Sequence, residues 1–105
     1  MDNTAWDTVE QLVKWLDAES PDPPATTRLM RVLKLSEEVG EVAEAVIGAT
    51  GHNPRKGDSH TWEDVQRELC DVILTGMVAL NTLTPDARKL FTDHLAHVAR
   101  RSLST

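Results

Sequence analysis

One cysteine, Cys70, is all that the 105-residue chain contains, so no disulfide can form within it. A framework of bridges is excluded as a source of stability, and a reducing compartment is the simplest setting. Aromatic residues are scarce as well: three Trp, one Phe and no Tyr. Sandwiches and barrels draw on aromatic and β-branched residues, so this scarcity weighs against an all-β fold. No stretch approaches the roughly 18 uninterrupted apolar residues of a membrane span. The opening MDNTAWDTVE lacks the basic start and apolar run of a signal peptide. Basic residues are outnumbered, 11 against 17 acidic, giving a formal net charge of −6. That balance argues against nucleic-acid polymers and anionic membranes as partners, but a small anion held through metal ions remains open. A cytoplasmic protein is the expectation.

What the chain does have is helical periodicity, in a length that suits one domain over residues 1–105. A first segment, about Ala5 to Glu19, places Trp6, Val9, Leu12, Val13 and Leu16 on one stripe, with Asn3 or Thr4 as a cap. Ser20-Pro21-Asp22-Pro23-Pro24 then stops any helix, because proline lacks the donor and clashes with the preceding turn. The second segment, about Ala25 to Ala49, carries a broad apolar face from Leu29, Val32, Leu35, Val39, Val42, Ala43 and Val46. After a loop with two glycines and a proline, Thr61-Trp62-Glu63-Asp64 has capping-box spacing and opens a third segment to about Leu83. Thr84-Pro85-Asp86 reads as an N-cap followed by proline at the first helical position, starting a fourth segment with Leu90, Phe91, Leu95 and Val98. The expected fold is all-α, a compact four-helix chain. The apolar faces of the second and third helices are wider than a monomer of this length covers, so the bundle is expected to be completed by oligomerisation.

Four carboxylates stand out against this pattern. Glu38 follows Leu35 by three and precedes Val42 by four, so it lies inside an apolar stripe, with Glu41 as its i+3 neighbour. The third segment repeats the device: Glu68 lies between Val65 and Val72, with Asp71 three residues on. Two antiparallel helices would then present two acidic pairs to one interior. Unpaired buried carboxylates cost several kcal/mol each, and four together repel. Protonation, pairing with a base, or divalent cations relieve that cost. Only Lys34 and Arg67 border the acids, and no Cys/His cluster favours Zn²⁺, so hard oxygen ligands for Mg²⁺ or Mn²⁺ are the favoured reading. The plainer reading is a solvated acidic face or an acidic interaction module.

Glu38-x-x-Glu41, 26 intervening residues and Glu68-x-x-Asp71 resemble the ExxE…ExxD signature of the MazG-like all-α nucleoside triphosphate pyrophosphohydrolases. The strings KLSEEVGEVAEAVIG and ELCDVILTGMVAL look like that family's two core helices, over about Leu29 to Leu83. The resemblance implies Mg²⁺ held by Glu38, Glu41, Glu68 and Asp71 as metal-binding and catalytic residues. It implies a homodimer or dimer of dimers, and hydrolysis of a nucleoside triphosphate to the monophosphate and pyrophosphate in nucleotide-pool control or housecleaning. Glu37 matches the first acid of the family's paired glutamates, but its helical angle puts it off the stripe, as an outer supporting or surface residue. Alternatives are a phosphoribosyl-ATP pyrophosphohydrolase of histidine synthesis and a non-catalytic, metal-stabilised helical interaction protein.

Other residues carry two readings each. Arg55 and Lys56 can reach distal phosphates from the connecting loop, or form a solvated turn. Lys34 is a phosphate contact or an i, i+4 partner of Glu38. Asn81, ten residues after Asp71, falls where relatives often carry a polar residue near substrate, although its angle lies off the Asp71 face. Trp6 is read as core, Trp15 as an interface candidate, and Cys70 as a small core residue. His94 interrupts the fourth stripe as a core or interface histidine, and with His97 falls short of a structural zinc site. Gly40 and Gly76, each mid-helix, are expected to permit close helix approach near the carboxylates.

Overall fold

The computed structural model describes residues 3–52, 54–55 and 57–103, without the side chain of Asn3. It contains helices α1 (Asn3–Glu19), α2 (Pro24–Thr50), α3 (Trp62–Leu83) and α4 (Ala87–Leu103), and no strand among the described residues. The helices end where local chemistry requires. Pro23 is extended and Pro24 takes the first helical position of α2, where its missing N–H costs nothing. Gly51 closes α2 with φ 68°, a left-handed conformation natural to glycine, and its N–H donates to the Ile47 carbonyl. Thr61 and Asp64 form the capping box: the Asp64 N–H donates to Thr61 Oγ1 at 3.2 Å, and the Thr61 N–H donates to Asp64 Oδ2 at 2.9 Å.

Two boundary expectations are corrected. Thr4 lies within α1 rather than capping it, while the side chain of Asn3 lies outside the described residues. Thr84 ends α3 through its N–H to the Leu80 carbonyl, and its hydroxyl accepts from the Asp86 N–H at 3.1 Å. The first carbonyl to receive an α4 bond is that of Asp86, from the Leu90 N–H, so Pro85 sits in the turn before α4.

α3 is the central element, since α1, α2 and α4 all pack on it. Its hairpin with α2 is antiparallel: Arg31 meets Thr82 at one end, Gly48 lies against His60 at the other, and Leu35 touches Gly76 between them. α1 contributes Trp6, Val9 and Val13, which are buried with Met77 of α3 and Ala87 of α4. The Trp6 ring lies 6.1 Å from that of Phe91, within aromatic contact range. Trp6 is thus a core residue, as its spacing predicts. Arg31, with a side chain only 12% exposed, pairs with Asp17 at 2.8 Å and donates to Thr82 Oγ1 at 3.0 Å, tying three helices together.

The molecule is a flat body of 50 × 46 × 22 Å. Its thin dimension is about two helix diameters, and much apolar surface stays bare. The broad face expected of α2 divides in two. Leu35, Val42 and Val46 are half-buried against α3, whereas Leu29, Val32, Val39 and Ala43 are exposed. Cys70 is exposed, correcting its reading as a core residue, because its position on α3 is left uncovered. His94 is also exposed, its ring 6.2 Å from that of His97 on the same open side of α4. A methyl group added to Gly40 would meet no described atom within 4 Å, and one added to Gly76 would meet only Leu35, at an ordinary 3.8 Å. Neither glycine is needed for close helix approach within this chain. Gly48 instead makes room for the returning loop: a methyl group there would overlap the His60 ring and the Ser59 hydroxyl.

Candidate metal centre

Antiparallel pairing of α2 with α3 sets the site. Glu38, Glu41 and Glu68 each offer a carboxylate oxygen within 4.8 Å of the others. Glu38 lies on the inward stripe and is 9% exposed, an unusual burial for a carboxylate. Its neighbour on α2, Glu41, is half-buried, as is Glu68 across the seam. Asp71, one helical turn beyond Glu68, is exposed and outside this group of three.

The electrostatics are those of a site short of positive charge. Lys34 approaches Glu38 at 3.6 Å and the exposed Glu37 at 3.8 Å, so one ammonium is shared between two carboxylates. Arg67 turns away from the cluster to pair with Asp64 in the capping box. Desolvation, followed by repulsion from Glu68, holds the Glu41 carboxyl above the usual carboxylate range; a hydrogen bond with Glu68 and the charge of Glu37 add to this. Glu68 Oε2 is buried and has no hydrogen-bond partner among the described residues. A buried, unsatisfied carboxylate oxygen carries a substantial desolvation cost. Three convergent carboxylates, one of them with an unsatisfied oxygen, fit a hard divalent cation that prefers oxygen ligands. The donor set contains no nitrogen or sulfur, which suits Mg²⁺ or Mn²⁺ better than Zn²⁺.

The remaining candidates lie apart. Arg55 is exposed in the α2–α3 loop, and Lys56 lies outside the described residues. Asn81 is half-buried, about 15 Å along α3 from Asp71 at the helical rise per residue. Trp15 and Trp62 are 60% and 54% exposed, leaving both rings free of the core. Sequence reasoning missed Arg31 and Gly48. Arg31 lies on the inward side of α2 near a break rich in proline, and a buried arginine there needs an acidic partner on another helix. Gly48 is close to the end of the helix's apolar pattern, and only the return of the loop reveals its use. No protein-family model, curated protein or solved structure matches the chain.

Proposed function

We propose that the chain is a Mg²⁺-dependent pyrophosphohydrolase that converts a ribo- or deoxyribonucleoside triphosphate to the monophosphate and pyrophosphate. One observation carries the reading: Glu38, Glu41 and Glu68 converge across the α2–α3 seam, in the ExxE…ExxD spacing, around an unsatisfied Glu68 oxygen. An acidic cluster repels a triphosphate unless cations intervene. Glu38, Glu41 and Glu68 would hold the cation, with Asp71 as the fourth acid of the motif. A bound divalent ion supplies charge neutralisation for phosphate oxygens and lowers the pKa of water.

The chain's own residues would do the rest. Water attack at the α-phosphorus forms the new P–O bond and breaks the bond to the bridging oxygen, so that pyrophosphate leaves. One of the carboxylates would take the water's proton, and Glu41, half-buried beside Glu38 and Glu68, is the favoured acceptor. Lys34 keeps Glu38 oriented and lies close enough to the acids to meet a phosphate oxygen. Arg55 and Lys56, on the loop joining the two acidic helices, are the proposed contacts to the distal phosphates, and Asn81 is a more remote candidate contact. Glu37 supports through its shared contact with Lys34. A cytoplasmic setting suits such a substrate, with nucleotide-pool control or housecleaning as the proposed service.

The test is pyrophosphate release from a panel of nucleoside triphosphates and phosphoribosyl-ATP, with Mg²⁺ and with EDTA, followed by chromatography of products. Monophosphate plus pyrophosphate, lost in EDTA, is expected. Glu38→Gln and Glu68→Gln should each lower turnover by more than about 100-fold, beyond the 10–100-fold typical of supporting residues, while keeping the helical circular-dichroism signal. Turnover only of phosphoribosyl-ATP would assign the protein to histidine synthesis. A folded protein that binds Mg²⁺ but turns over nothing would be a metal-stabilised interaction protein.

A further inference from the structure

We infer that the flank of α4 formed by Leu90, His94, His97 and Arg101 is a docking strip for an acidic amphipathic helix of a partner protein. The first ground is where the charge sits. α1, α2 and α3 each carry more acidic than basic residues, and the chain as a whole has 17 against 11. α4 inverts this, with Arg88, Lys89, Arg100, Arg101 and two histidines against Asp93 alone. Arg88 is paired with Asp7, and Lys89 with Asp93 at 2.6 Å. His94, His97, Arg100 and Arg101 are all exposed, and none has an acidic partner among the described residues.

The second ground is spacing. α4 turns Ala87 into the core, with Phe91 and Val98 half-buried on the same side. At 3.6 residues per turn, Leu90, His94, His97 and Arg101 fall within an arc of about 60° beside that inward face. Their intervals of four, three and four are the seam spacing of paired helices. The rings of His94 and His97 lie 6.2 Å apart along this strip. Leu90, 52% exposed, gives it an apolar end, and Arg101 a charged one. The rise from His94 to Arg101 is about 10 Å, so the strip fits an extended acidic partner rather than one small anion.

The third ground is what the strip excludes. Laid parallel on a second α4, it sets His94 on His94 and Arg101 on Arg101; laid antiparallel, it sets His94 on His97 and Leu90 on Arg101. Neither arrangement brings an acid to the bases. A membrane-surface helix gathers its apolar residues on one face, whereas the exposed Leu90, Leu95 and Leu103 are spread around α4. A helix with Glu or Asp opposite His94, His97 and Arg101, and an apolar residue opposite Leu90, satisfies all four positions. The strip uses no residue of α2 or α3, so the inference stands independently of the reading of the carboxylates.

The test is titration of the full chain with an alanine-based peptide of about 20 residues, long enough to hold a helix. Its glutamates recur at intervals of three and four, and the same peptide with lysines in their place is the control. Saturable binding of the acidic peptide alone is expected, with backbone amide shifts concentrated in residues 90–101. Arg101→Glu should weaken it by at least about tenfold through like-charge opposition, while the helical circular-dichroism signal is retained. Arg100→Glu makes the same charge change about 100° around the helix, and should weaken binding by no more than about threefold because of screening. Equal loss in the two variants, absence of saturation, or shifts centred outside α4 would overturn the proposal. So would binding of short-chain polyphosphate or anionic vesicles in preference to the peptide, or a self-association of the wild type that Arg101→Glu abolishes, since each assigns the strip to another occupant.

Discussion

At the scale of single residues, two carboxyls pull stability in opposite directions with pH. Asp64 is held below the usual carboxylate range, first by the Thr61 backbone N–H and then by Arg67. Its contribution is complete above the ordinary Asp range and is lost as pH falls through the depressed value. Glu41 is held above its usual range by desolvation and by Glu68. Its contribution is complete below the ordinary Glu range and is lost as pH rises through the raised value. In EDTA the thermal midpoint should therefore climb out of acid, pass a maximum and decline once Glu41 ionises. Mg²⁺ should abolish the decline by offsetting the charge, and Glu41→Gln should abolish it without metal. A midpoint that falls equally with and without Mg²⁺ would separate the carboxylates from metal binding.

At the scale of elements, the α2–α3 hairpin matters most because it brings acids separated by 26 intervening residues into one cluster. Its register is set at the end where the loop joins the two helices. The capping box fixes where α3 begins, and Gly48 lets the residues just before it lie directly on α2. Gly48→Ala should cost about 1–3 kcal/mol in urea unfolding, as overpacking usually does, because the His60 ring and Ser59 must shift. An unchanged or raised stability would mean that the 59–60 segment is not held against α2. Gly40→Ala makes the useful contrast, since its added methyl meets no described residue of the chain.

At the scale of the whole molecule, Arg31 joins α1, α2 and α3 through Asp17 and Thr82. Asp17 is 58% exposed, so the ion pair itself contributes little. The larger loss on Arg31→Ala comes from the half-buried bond to Thr82 and the packing of the long side chain. About 1–3 kcal/mol is expected in urea unfolding, with Mg²⁺ affinity unchanged because Arg31 lies roughly 10 Å along α2 from Glu38. A change in metal affinity alone would mean that Arg31 acts on the carboxylates.

Helix number, the breaks at Pro21–Pro24 and at the glycine-containing loop, the Trp6 stripe and the intrusion of Glu38 and Glu68 into apolar stripes were all legible in sequence. They depend on local geometry: a 3.6-residue period, a missing N–H at proline, and the reach of a capping side chain. The exposure of Cys70 and the idle space at Gly40 were not legible, because periodicity names an apolar face without saying which neighbour covers it. The same holds for Arg31, whose partners stand 14 residues before it and 51 after it. Among the acids, i and i+3 spacing alone treats Glu41 and Asp71 alike. Only the crossing of α2 over α3 brings Glu41 in with Glu38 and Glu68 and leaves Asp71 facing solvent, since the meeting of side chains from two helices depends on their mutual rotation, which no single helix carries in its sequence.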